Sequence, residues 1–336
     1  MKAQIRPRIR LENRPVLQDL IPLSTPTVIN VDPSDKCNLR CKFCPTGDHA
    51  LMRSTPGRWH GPMKFDLFKK IVDDICQFPE PLKVLRLYKD GEPLSNPMIA
   101  DMVRYAKQSG RCGVVDMTTN GIFLSPKKNL EIIDAGIDWI NVSIYGMNSD
   151  QYDRFSGRKV DFDALVKNIR HLYEHREDCK ILVKINGDVI PSEDVQKFYD
   201  TFGDIADFVF VEHVMSCWPE FGIEDHGVGV NRDIGIYGQP IREVLTCPYI
   251  FYSFSINSDG SASTCFLDWE RKLIIGDANT ESVVDIWNGA RLRAHQLMML
   301  RGERKSHPIC GNCGQMSHGL PDDIDTHAKM LLEKLV

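Results

Sequence analysis

Three cysteines fall within eight residues of CNLRCKFCPTG, at Cys37, Cys41 and Cys44, with no fourth beside them. Four thiolates would saturate a metal site with protein ligands. Three leave one position open, and an open position is where metal-centred chemistry takes place. Iron–sulfur cubanes are held by cysteine thiolates, normally four. Three thiolates on a tight loop hold three irons and expose the last. Zinc is the alternative, but no histidine lies within the motif to complete a tetrahedron, and His49 is the nearest.

The rest of the chain has to position that loop. Its 336 residues, 42% hydrophobic and 26% charged, suit an α/β barrel with an added module and exclude long disorder. A net charge of −5 gives no sign of a nucleic-acid surface. The basic start, MKAQIRPRIR, reads as a solvated arm. No apolar run approaches the roughly 18–20 residues of a membrane span, and no apolar segment of a signal peptide follows the basic start, so a cytoplasmic location is expected. With eleven cysteines in such a compartment, metal or redox chemistry is expected rather than disulfides.

Short β-branched runs alternate with amphipathic stretches. Strands are expected at 27–33, 83–93, 113–121, 139–146, 180–188 and 207–214, with helices at 63–75, 97–110, 126–135, 162–175 and 192–202. Phe65, Phe68, Ile71, Val72 and Ile75 share one helical face, as do Phe162, Leu165, Ile169 and Leu172. Six strand–helix alternations imply a parallel sheet, and six fall short of a closed eight-stranded barrel. The expected fold is α/β: a partial (βα)6 TIM-like barrel, then a small cysteine-rich domain. Functional loops of such sheets lie beyond the C-terminal strand ends. The cysteine loop, DGEP, TTNG, SIYG and MSCWPEFG all fall there, five loops on one rim. After about residue 225 the pattern changes to a hairpin at 251–266 and a long helix at 282–300. The expected division is an arm at 1–26, the barrel at 27–221, a Gly-rich linker at 222–240 and the second domain at 241–336.

On these residues the chain resembles the radical S-adenosylmethionine enzymes. CNLRCKFC has that family's C-x3-C-x-aromatic-C form, with Phe43 as the aromatic, directly after the first strand. The resemblance implies that S-adenosylmethionine chelates the open iron of a [4Fe–4S] cluster held by Cys37, Cys41 and Cys44. One-electron reduction then gives a 5′-deoxyadenosyl radical that abstracts hydrogen from a C–H bond. DGEPL at 90–94 stands where the family has a Gly-Gly-Glu turn, with Asp90 in place of the first glycine. Gly91 and Glu92 then match, and Glu92 is the expected acceptor for the ligand's ammonium. Thr119, Asn120 and Ser143 match further strand-end positions near the ligand. Arg154 and Arg158 follow without a clean alignment to the family's arginine.

Cys247, Cys265, Cys310 and Cys313 resemble the SPASM/twitch auxiliary-cluster domain, in its shorter twitch form because the further cysteines of the full SPASM pattern do not follow Cys313. The resemblance implies one auxiliary [4Fe–4S] cluster, closed by four thiolates and serving electron transfer; a structural zinc has the same spacing. Cys76, Cys112 and Cys179 read as packing or surface thiols. Cys217 lies just past the sixth strand, on the active rim, where a thiol can return hydrogen to a substrate radical as in the family's epimerases. Glu212 and His213 share that strand end as candidate general bases, and strand alternation lets only one of them face the site.

The leading expectation is dehydrogenation of a sugar or cyclitol carbinol, as in 2-deoxy-scyllo-inosamine dehydrogenases, with a flavodoxin- or ferredoxin-like electron donor and neither nucleic acid nor membrane as a partner. The alternatives are a carbohydrate epimerase using Cys217 and a peptide-modifying SPASM enzyme, although no segment reads as a leader-recognition domain. A non-catalytic Fe–S or zinc scaffold is the reading from a different class.

Overall fold

The computed structural model describes residues 1–9 and 13–336. Among them, ten strands form one sheet: β1 (Gln4–Ile5), β2 (Val28–Val31), β3 (Leu82–Leu87), β4 (Cys112–Thr119), β5 (Trp139–Ile144), β6 (Lys180–Asn186), β7 (Phe208–Glu212), β8 (Ser253–Ile256), β9 (Ser261–Ser263) and β10 (Ile274–Asp277). Their spatial order is β1-β7-β6-β5-β4-β3-β2-β8-β9-β10. β2 to β7 are parallel neighbours in sequence order, as right-handed βα crossovers dictate. This is a partial α/β barrel.

Side-chain alternation divides the barrel into two chemistries. Ile29, Leu85, Val115, Ile140, Val183 and Val209 are fully buried core residues. Against them pack α1 (Phe65–Ile75), α2 (Ile99–Gln108), α3 (Pro126–Asp134), α4 (Ser149–Ser156), α5 (Phe162–Glu174) and α6 (Ser192–Phe202). The alternate positions carry Asn30, Arg86, Thr118, Lys184 and Glu212, which line an interior cavity. Helix starts are fixed locally: the Ser125, Asn148 and Asp161 side chains accept from backbone N–H groups of the first turns of α3, α4 and α5.

Three expectations are corrected and one helix is added. The N-terminal arm is docked, not free: β1 pairs in parallel with β7 although Gln4 and Ile5 are exposed, Ala3 is buried, and Arg6 stacks over Phe208; residues 10–12 of the arm lie outside those described. The helix expected at 282–300 is two, α7 (Val283–Asn288) and α8 (Ala290–Leu300), because Gly289 is extended with ψ 151°. α4, whose sequence SDQYDRFS is mostly polar, adds a helix after β5. The 222–240 stretch is no free linker, since Ile223 and Val228 join Phe221, Trp269 and Val214 in a second apolar cluster. β8 pairs in parallel with β2, so the sheet runs unbroken from the barrel into the C-terminal region. No helix among the described residues is long and apolar enough to cross a membrane.

Candidate functional site

The cysteine loop leaves the end of β2 and coils on itself. The Cys44 N–H donates to the Cys41 carbonyl (3.1 Å), and the Gly47 N–H donates to the Cys44 carbonyl (2.9 Å). A Cβ at Gly47 would stand 2.7 Å from the Cys41 nitrogen and 2.9 Å from the Arg40 carbonyl carbon, so the coil closes only around glycine. Its outer side is clamped to α4, where the Arg40 N–H donates to the Ser156 carbonyl (2.8 Å). Cys41 is buried, and Cys37 and Cys44 are half-buried. All three line a cavity of about 140 Å³. Burial pushes all three thiols up, Cys37 to about 12. Three soft donors in one cavity, held neutral unless a cation binds them, fit a cubane with one iron left open.

Glu92 lines the same cavity. Its carboxylate accepts from the Thr119 hydroxyl (2.6 Å), the Asn120 N–H (2.8 Å) and the Leu94 N–H (3.0 Å). An ionised carboxylate has about four acceptor sites, so one is left for an ammonium. Burial raises Glu92 to about 7 despite those donors. The Asn120 side chain donates to Asn38 Oδ1 (2.6 Å), tying this strand end to the cysteine loop. Gly91 is equally constrained: its Cβ would lie 2.5 Å from the Lys36 carbonyl oxygen. Arg158 donates to the Asn38 carbonyl on the exposed side of the loop, outside the cavity.

Asp90, the departure from the family's turn, is the centre of a buried ion cluster. Lys89 Nζ lies 2.9 Å from its carboxylate, and the Arg58 and Arg271 guanidinium groups each lie at 3.2 Å. Burial opposes its charge, but these three cations hold Asp90 down at about 2. Asp35 faces the same arginines. Lys89 also donates to the Asp268 carbonyl (3.1 Å), and Arg58 to the Trp269 carbonyl. The turn carrying Glu92 is thus ionically fastened to the 268–271 segment. No local pattern could have paired positions 58, 90 and 271.

A second cavity of about 270 Å³ adjoins the first, sharing Phe43, Tyr88, Lys89 and Tyr145 with it. Phe43 stacks on Phe155 at 5.1 Å, and Trp218 Nε1 donates to its carbonyl (3.0 Å). Ser143 lines this second cavity, where the sequence had put it beside the ligand. Glu212, His213 and Cys217 line it too. The expectation that only one of Glu212 and His213 faces the site is corrected: β7 ends at Glu212, so alternation no longer governs His213. Lys184 Nζ sits 2.6 Å from Glu212. His213 Nδ1 lies 2.9 Å from Asp188 Oδ1, which leaves Nε2 for other partners. Cys217 is buried, and burial pushes its thiol up, with Cys313 and Cys44 adding to the effect. Lys89, Tyr88, Tyr145 and Asn38 are site residues that sequence reasoning missed. Tyr145 lies in the quoted SIYG motif and was within reach of it.

Cys247, Cys265, Cys310 and Cys313 meet around one small, mostly apolar cavity that Asp268, His295 and Arg304 also line. Burial pushes all four thiols up, Cys247 and Cys310 to about 12. Arg304, itself buried, donates to the carbonyls of Val244, Leu245 and Cys310 and so ties the segments before Cys247 to that bearing Cys310. The Leu267 N–H points at Cys265 Sγ (3.4 Å). This donor set fits a closed cluster. Leu267 lines both this cavity and the Cys217 cavity, and Cys313 Sγ lies 3.7 Å from the Cys217 carbonyl oxygen.

Comparison with known proteins agrees with this geometry. The chain is 29% identical over 149 residues to the AdoMet-dependent heme synthase of Methanosarcina barkeri, covering 44% of this chain and 40% of that one. It is 27% identical over 253 residues to the dTDP-4-amino-4,6-dideoxy-D-glucose ammonia-lyase of Streptomyces venezuelae, covering 69% and 49%. The chain therefore spans about half or less of the length of these curated relatives. Among solved structures, BtrN in complex with AdoMet and 2-DOIA shares the fold, with a TM-score of 0.57 at 18% identity over 89% of this chain and 97% of that one. The SPASM iron–sulfur cluster-binding domain matches residues 247–314, spanning all four cysteines of the second set. These likenesses imply S-adenosylmethionine, a radical-generating [4Fe–4S] cluster and an auxiliary iron–sulfur centre as cofactors. The family model of the Radical SAM superfamily matches residues 31–205, more than half of the sequence, and the chain belongs to that superfamily.

Proposed function

We propose that this radical SAM enzyme dehydrogenates a carbinol of a sugar or cyclitol. Cys37, Cys41 and Cys44 hold the radical-generating cluster, and Glu92 receives the ammonium of S-adenosylmethionine on its one remaining acceptor site. Bound there, cluster and S-adenosylmethionine together supply a 5′-deoxyadenosyl radical, once a flavodoxin- or ferredoxin-like donor has delivered an electron. The second cavity holds the substrate. The observation that carries the reading is the His213–Asp188 pair on the wall of that cavity. Asp188 fixes the imidazole through Nδ1, and Nε2 takes the hydroxyl proton as the carbinol becomes a ketone. Cys247, Cys265, Cys310 and Cys313 hold the auxiliary cluster, the acceptor for the second electron. The shared wall residue Leu267 supports a short path to it. The curated relative named for a dTDP-linked amino sugar supports the substrate class.

Cys217 favours a second reading. Its buried, neutral thiol lines the same cavity and suits hydrogen return to the opposite face, which would make the enzyme an epimerase. One experiment separates the two. Reconstituted protein is reduced anaerobically with S-adenosylmethionine and a panel of sugars in D2O, and products are read by mass spectrometry. A product lighter by two hydrogens, still formed by Cys217→Ala, is the dehydrogenase outcome. An isomer carrying one solvent deuterium, absent with Cys217→Ala, is the epimerase outcome and overturns the first reading.

A further inference from the structure

The barrel interior continues beneath the second cavity into a third of about 270 Å³, and the two share Tyr88, Lys184, Glu212 and Met215. Its walls are charged. Arg86 Nε faces Asp116 at 3.3 Å, Lys184 faces Glu212 at 2.6 Å, and Arg14 faces Asp322 at 2.7 Å. Each of these cations has its own carboxylate. Arg8 does not. The N-terminal arm, docked through β1, delivers its side chain into this cavity, against the Tyr88 ring at 5.0 Å. Its Nη1 contacts the Tyr88 hydroxyl and lies 3.5 Å from Thr118 Oγ1. No carboxylate among the described residues forms a salt bridge with it.

A guanidinium presents five N–H donors in a planar fork matched to phosphate or carboxylate. An enclosed cation without a counter-charge is costly unless a ligand supplies one. Among the described residues the other lining cations are neutralised pair by pair, which leaves one net positive charge, at Arg8. We propose that Arg8 is the anion-binding residue of the substrate site, so that the substrate carries a phosphate or carboxylate at the end remote from the reacting carbinol. This rests on the reading of the second cavity as the substrate site. It gives the substrate a direction: anion at Arg8, reacting carbon toward His213 and Cys217. It also gives the basic arm a role, as one wall of the binding site.

The test uses holoenzyme with S-adenosylmethionine bound, titrated calorimetrically with glucose 6-phosphate, glucuronate and glucose. At least one anionic probe is expected to bind about tenfold or more tightly than glucose, and whichever does so identifies phosphate or carboxylate as the group recognised. Arg8→Gln is expected to erase the preference, and Arg8→Lys to keep part of it. Lys159→Gln, on the outer surface, is expected to leave it intact. The proposal is overturned if neither anionic probe outbinds glucose, if the preference survives Arg8→Gln, or if Lys159→Gln weakens it equally. Melting temperatures of the variants separate lost recognition from lost folding; an Arg8→Gln protein that does not fold transfers the decision to Arg8→Lys, whose partial or full loss of preference at an unchanged melting temperature supports the assignment and whose unchanged preference overturns it. Reductive S-adenosylmethionine cleavage by the wild type without any probe tests the cluster site independently. Cleavage with no anion preference sinks only the Arg8 assignment, and preference without cleavage sinks only the chemistry.

Discussion

The two cysteine sets use the same ligand type to opposite ends. The first is local: three thiols on one coil, held by Gly47 and by the Asn120–Asn38 bond, opening into a cavity that Glu92 also lines. The second is assembled from three separate segments, tied by Arg304, and lined mostly by apolar side chains, with Asp268, His295 and Arg304 among them. On the reading proposed above, the first leaves room for a ligand and the second, closed by a fourth thiol, does not. On that reading, a radical generator and an electron relay differ in how many thiols converge and in what lines the rest of the cavity, with the metal chemistry unchanged.

That contrast is easiest to break by removing ligands. Cys41→Ala should lose about four of the roughly eight irons of two cubanes and abolish S-adenosylmethionine cleavage. Cys265→Ala should lose a similar share of iron yet still produce 5′-deoxyadenosine. Iron content and product quantitation on both variants check this, and abolished cleavage in Cys265→Ala would erase the division of labour.

The next effect is on stability. Asp90→Ala leaves Arg58, Lys89 and Arg271 buried around a missing counter-charge. A loss of about 3–5 kcal/mol is expected in chemical denaturation of the holoprotein. Less than about 1 kcal/mol would mean that the ion cluster does not fasten the Glu92 turn to the auxiliary segment.

Glu92 sharpens the comparison from the open side. Its pKa is raised to about 7 by burial, and an arriving ammonium favours the ionised form. S-adenosylmethionine affinity should therefore be full above pH 7 and fall as pH drops through it, by up to tenfold per pH unit. Glu92→Gln should bind about 10- to 100-fold more weakly and lose this pH dependence. Calorimetric titration across pH 6 to 8 reads both. Smallest is Trp218→Phe, which deletes the bond to the Phe43 carbonyl and should cost about 1 kcal/mol of stability while leaving iron content unchanged.

Much of the barrel was legible because β-branched runs and amphipathic faces such as Leu165, Ile169 and Leu172 are local signals, and parallel topology then gathers the five rim loops without further information. The cysteine loop was legible for the same reason, being specified within a few residues. What escaped is non-local or weakly patterned. β1 is two exposed residues whose only instruction is the free edge of β7. α4 is mostly polar, and its signal is the cap at Asn148 and the left-handed Gly157 rather than hydrophobic periodicity. Gly289 interrupts an otherwise continuous apolar pattern. The Asp90–Arg58–Arg271 cluster joins positions far apart in the chain, and the polar barrel interior becomes a cavity only when the strands curl around it.

The junction of β8 with β2 has a consequence for recombination. Val28 to Val31 register one-to-one against Ser253 to Ile256, so the auxiliary domain contributes a strand to the catalytic sheet. A chimera cut in the 222–240 stretch would therefore not exchange a cassette. It would need a donor strand of matching register and matching inner-face polarity, or it would leave β2 as a raw edge open to pairing with other chains. In this chain the barrel and the cysteine-rich region that follows it are therefore joined as one sheet, and an exchange that keeps the register intact is one confined to the rim loops or the interior side chains.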